Sequence, residues 1–135
     1  MLVLILMSTI PNIQTFAEED EKLAFAGYLE EILGHLWALE QNLDENNANL
    51  AMVHATHPIA ELYDLISPEL QKRDAALDLQ LRQILFELKD KSTSNVTREQ
   101  AQQAIDEAKI AVELVRSAVV GDEGNKMDFK INLII

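Results

Sequence analysis

Beyond the first seventeen residues, the apolar side chains fall at helical intervals. Phe25, Leu29, Ile32, Leu36, Leu39 and Leu43 alternate steps of four and three, a stripe along one helix face. Glu18, Glu19 and Asp20 stand where the positive end of that helix's dipole would favour them. Asn42 to Asn49 is rich in Asn and Asp, side chains that compete for backbone hydrogen bonds. It predicts a tight turn with Asn46 or Asn47 capping the next helix. A second helix is expected over residues 48–66, kinked between His54 and Pro58 because the proline removes a backbone donor. Ser67-Pro68-Glu69 has the form of a restart, with Ser67 as N-cap and Pro68 at the first helical position. The third helix then carries Leu70, Leu77, Leu81, Ile84 and Leu88. The polar residues 90–95 predict a loop, and Thr97 to Gln100 has the form of a capping box. The fourth helix would bury Ala101, Ala104, Ile105, Ala108, Val112, Val115 and Val119 and end at Gly121.

Four helices joined by short loops define an all-α fold, an antiparallel up-down four-helix bundle. Met127 to Ile135 begins with an amphipathic pattern and stops on Leu-Ile-Ile. It is open to three readings, a truncated fifth helix, a strand or the lead into a further domain, and the chain reads as a fragment of a longer protein.

The first seventeen residues have a different character. Leu2 to Met7 is a short apolar run, and Thr15-Phe16-Ala17 sets small residues where a signal peptidase would cut before Glu18. No Lys or Arg precedes Lys22, so the basic start of a signal peptide is missing. The expected organisation is a signal peptide over 1–17, a helical bundle over 18–121, and a linker opening a further element over 122–135. The expected location is extracytoplasmic, either secreted or tethered to a membrane.

Composition narrows the partners. A formal net charge of −12 repels phosphate backbones, which argues against nucleic acid and leaves cations and basic proteins as compatible partners. Without cysteine the chain has no disulfide, thiolate metal site or cysteine nucleophile. No glycine-rich phosphate loop is present, and nothing in the sequence points to haem or nucleotide.

The chemistry gathers in the first helical hairpin, where all three histidines lie. With a turn centred near residue 46, residues whose numbers sum to about 92 share a level, so His35 faces His57 and Glu31 faces Glu61. Glu31 and His35 are four apart on one helix, while His54, His57 and Glu61 step by three and four along the next. Three imidazoles and two carboxylates then converge on one patch, a usual ligand set for copper, iron or zinc. Asp64 and Glu30 are candidates to orient those ligands. Trp37 and Tyr28 read as core or rim aromatics.

The stretch Gly34-His35-Leu36-Trp37-Ala38-Leu39-Glu40, with His54-Ala55-Thr56-His57-Pro58 and Glu61-Leu62-Tyr63, resembles helical extracytoplasmic domains of archaeal membrane or secreted proteins. Those domains accompany cupredoxin or iron-permease modules. The resemblance implies copper or iron handling through His35, His54 and His57, beside a permease or cupredoxin partner. The leading expectation is a metal-binding domain using His35, His54, His57, Glu31 and Glu61. The alternative is an acidic structural or interaction bundle without metal. A di-metal enzyme is disfavoured, because the third and fourth helices carry no histidine.

Overall fold

A computed structural model describes residues 13–93, 96–126 and 129–130. These are helical almost throughout, with no strand among them. The elements are α1 (Ile13–Asp44), α2 (Ala48–His57), a π-helical turn (Pro58–Leu62), α3 (Tyr63–Arg73), α4 (Ala75–Thr93), α5 (Arg98–Val119) and a 3-10 turn (Gly121–Asn125). Apart from Ile13–Ala17, which are helical, the expected signal peptide lies outside the described residues, as does most of the expected fifth helix. No helix among the described residues is long and apolar enough to cross a membrane.

The stripe on α1 is buried as its spacing requires, from Phe25 to Leu39, with Leu43 packed at its edge. The helix is already formed at Ile13, the first described residue and upstream of the expected start, so Glu18, Glu19 and Asp20 lie beyond its first described turn and face solvent. Asn46 takes the left-handed conformation (φ 58°) that ends α1. The Asn47 side chain then accepts from the Leu50 amide and caps α2.

Pro58 produces a widened turn. It has no N–H to offer the carbonyl four residues back, and the backbone relaxes into a π turn in which the Tyr63 amide bonds the Pro58 carbonyl. The helix then runs on through Ser67 and Pro68, so the expected restart there does not occur. Ser67 is buried, with its hydroxyl directed to Tyr63 rather than to a backbone cap. Pro68 sits on the exposed side of the helix.

The break comes at Asp74, a single extended residue (φ −153°) whose carboxylate accepts from the amides of Ala76 and Leu77. α4 therefore has its own phase. Asp78, Leu81, Leu85 and Leu88 are buried, while Leu77 and Ile84 are only partly so. α4 also continues to Thr93, through most of the expected loop. On α5 the expected core face is buried throughout, and the Thr97–Gln100 capping box is formed. Gly121 takes the left-handed conformation (φ 62°) that ends the helix.

α1 packs chiefly on α2 and α5, and α4 on α5, α3 and α2. The α1–α5 seam is closed by ion pairs of Glu30 with Arg116 (2.6 Å), Glu40 with Lys109 (2.8 Å) and Asp44 with Arg98 (2.8 Å). Lys109 holds the Glu40 carboxyl below the usual carboxylate range, against the opposing effect of burial.

Candidate functional site

The three histidines meet on the outer side of the α1–α2 seam. His35 stands one residue before the buried Leu36, turned by about 100° from the core stripe toward α2. His54 stands beside the buried Ala55 on α2, and His57 is the last residue before the π turn. All three are partly buried.

The Nδ1 atoms of His35 and His54 lie 3.1 Å apart, a hydrogen bond that needs one ring to donate and the other to accept. Their ring centroids are 5.3 Å apart, and the His57 ring meets His35 edge-on at 4.9 Å. Burial, followed by the neighbouring His57 and His54, holds His35 below the ordinary imidazole pKa of 6.5. Glu31 and Glu61 oppose that shift from either side. Both carboxylates are exposed, and Glu61 Oε1 lies 3.7 Å from Nε2 of His57.

The expected residues are thus in one neighbourhood, with His35, His54 and His57 in ring contact and Glu61 beside His57. As the side chains stand, no three or more His, Asp or Glu groups among the described residues form a set that could hold a metal ion. His35 and His54 present a two-nitrogen edge, with the His57 ring against His35 and Glu61 beside His57. Glu30 does not belong to the cluster. It precedes His35 by five residues, about 140° around the helix, and bonds Arg116 on α5. Asp64 is exposed, two residues past the π turn. Trp37 is 62% exposed and so belongs to neither core nor rim, while Tyr28 packs at the core edge.

A second polar cluster was not anticipated. Asp78 is 1% exposed and lies on the apolar stripe of α4. The Tyr63 hydroxyl donates to its Oδ1 (2.8 Å), and Gln71 Nε2 donates to its Oδ2 (3.0 Å). Ser67 donates to the Tyr63 hydroxyl (3.3 Å) and accepts from Gln71 (3.1 Å). Burial pushes the Tyr63 phenol above its usual pKa. Every member is bonded to another, so the cluster ties α3 to α4 across the Asp74 break. The signal in the sequence was a carboxylate at the head of the 78, 81, 85, 88 stripe.

No protein-family model, curated protein or solved structure matches this chain.

Proposed function

We propose that this chain is a metal-binding domain, an antiparallel up-down four-helix bundle that holds one transition-metal ion at its first hairpin. The bundle reading draws on the α1–α5 ion pairs, whose partners descend along α5 as they ascend along α1. It draws equally on the three-residue turn between α1 and α2 and the one-residue break between α3 and α4.

The observation that carries the metal reading is the 3.1 Å separation of Nδ1 in His35 and His54. Two imidazole nitrogens bound at about 2.0–2.1 Å to one ion are separated by roughly 2.9 Å at a right angle and roughly 3.3 Å at the tetrahedral angle. The observed edge falls between these values, so a metal could replace the shared proton without the two nitrogens moving apart, each ring turning to aim its nitrogen at the ion. His57 and Glu61 are the nearest groups to complete the shell, and nitrogen with carboxylate oxygen suits copper, zinc or iron. Such an ion would bridge two helices and add its binding free energy to the hairpin.

Calorimetric titration of the full chain with Cu(II), Zn(II) and Fe(II) tests the proposal. Saturable one-site binding at micromolar affinity or tighter is expected, lost in His35→Ala and in His54→Ala. His57→Ala should weaken it without abolishing it. Unsaturable heat that is the same in all variants would sink the reading.

An extracytoplasmic location belongs to the same proposal and rests on the signal-peptide pattern of the first seventeen residues, while a permease or cupredoxin partner rests on the sequence resemblance alone. A second reading, an acidic module docking a basic partner, draws on the eight acidic and one basic residues of α1. It calls for salt-sensitive association and indifference to metal.

A further inference from the structure

The outer face of α4 and the groove between α4 and α5 expose large apolar side chains, with charges of both signs among them, in a strongly acidic chain. Leu79 (65% exposed) and Phe86 (53%) stand two turns apart on α4, and Ile110 (62%) and Leu114 (50%) stand on the neighbouring face of α5. Two shallow grooves accompany them. One of about 390 Å3 lies along Leu79, Arg82, Gln83, Phe86 and Glu87. Another of about 300 Å3 runs between Gln80 and Ile84 of α4 and Glu107, Ile110, Ala111 and Leu114 of α5. The α1–α5 seam is closed by ion pairs, whereas no ion pair among the described residues crosses from α4 to α5.

We infer that this face is a homodimer interface, on which α4 of a second copy lies antiparallel. Two features select a second copy. The first is the symmetry of the pattern. A twofold axis between Arg82 and Gln83, midway from Leu79 to Phe86, sets Leu79 of each copy on Phe86 of the other. This is an isologous contact that closes on itself. Arg82, which has no carboxylate partner among the described residues, then comes within one turn of Glu87 of the second copy.

The second feature is charge. Two chains of net charge −12 repel each other wherever their acidic surfaces meet. The excess resides largely on α1, with eight acidic and one basic residues, whereas α4 carries three of each sign. α1 packs on α2 and α5 and makes no appreciable contact with α4. Joining two copies through α4 therefore brings neutral helices together and keeps the acidic ones apart. The Lys89 ammonium, 5.8 Å from the Phe86 ring centroid, covers one side of the ring and leaves the rest for the apolar contact.

Sedimentation equilibrium of the full chain, run with chelator to remove any metal bridge, tests the interface independently of the histidine cluster. A reversible monomer–dimer equilibrium is expected. The double variant Leu79→Glu, Phe86→Glu alters only exposed positions, so its helical circular dichroism should be unchanged. Its dissociation constant should rise by at least roughly thirtyfold, the loss expected for two central anchors. Arg82→Glu and Glu87→Arg should each weaken the dimer, and together they should restore it. A wild-type chain that stays monomeric at every concentration would overturn the proposal. So would a dimer that the apolar double variant leaves intact, or charge reversals that weaken singly and fail to rescue jointly.

Discussion

Replacing Tyr63 by Phe removes one oxygen atom and leaves the packing of the ring almost untouched, so it isolates the buried network between α3 and α4. Among the described residues the hydroxyl is the one side-chain donor to Asp78 Oδ1, at 2.8 Å, on a carboxylate that is 1% exposed. A hydrogen bond to a charged group contributes about 1.5–3 kcal/mol when its loss leaves the partner unsatisfied. Ser67 loses its acceptor as well, but a serine within a helix can turn its hydroxyl to the carbonyl four residues back, which offsets most of that loss. The cost therefore falls on Asp78, and about 2 kcal/mol is expected for Tyr63→Phe. For a chain of this size that is a fall in melting temperature of roughly 6–10 °C.

Urea unfolding followed by far-UV circular dichroism measures the change. Repeating it in an Asp78→Ala background gives the coupling, expected at about 1–2 kcal/mol because the two groups touch. A loss below about 0.5 kcal/mol, the range of ordinary surface substitutions, would refute the reasoning. A coupling near zero would do the same, since it would mean that Asp78 reaches water in solution.

Two other measurements bear on the hairpin and the helix break. His35 is held below the ordinary imidazole value by burial and by His57 and His54, with Glu31 and Glu61 opposing. The unfolded chain thus binds a proton that the folded chain resists. Its contribution to stability is complete above pH 6.5 and is lost as pH falls through the folded value. Urea midpoints taken from about pH 8 down to about pH 5 should fall, and His35→Gln should flatten the slope; equal slopes in both proteins would reject this. Asp74→Ala should cost about 1 kcal/mol by leaving the Ala76 and Leu77 amides uncapped, whereas Asp74→Asn should be close to neutral. Equal losses in the two variants would point to charge instead of capping.

The outer helices were the most legible in sequence, because each carries one uninterrupted stripe and local capping chemistry. Every predicted core residue of α5 is buried, and Thr97 and Gln100 cap it as their spacing implied. The hairpin register was also legible: a turn at residues 45–47 leaves His35 opposite His57, and the rings touch. The middle of the chain was misread, since Ser67-Pro68-Glu69 has the composition of a helix start. Tertiary demand overrode it, because Ser67 is needed inside and Pro68 can sit on the wet side. Once the break is assigned to Ser67 instead of Asp74, the phase of α4 is carried over from α3. Leu77 and Ile84 then replace Asp78 and Leu85 in the predicted core. The 3.1 Å contact between imidazoles could not be read from spacing, which fixes which residues share a level but not how their rings are turned.

The π turn has one more consequence. From Pro58 a line of buried apolar residues continues at Leu62, Ile66 and Leu70, each four residues after the last, with Tyr63 and Ser67 buried alongside. In a regular α-helix a step of four overshoots a full rotation by about 40°, and three such steps would carry the stripe about 120° off the core. The widened turn takes up nearly one extra residue in its circumference and gives back most of that rotation. It works as a vernier, matching a sequence written in fours to a helix that turns in 3.6. Pro58 is thus the adjustment that keeps α2 and α3 facing the same core.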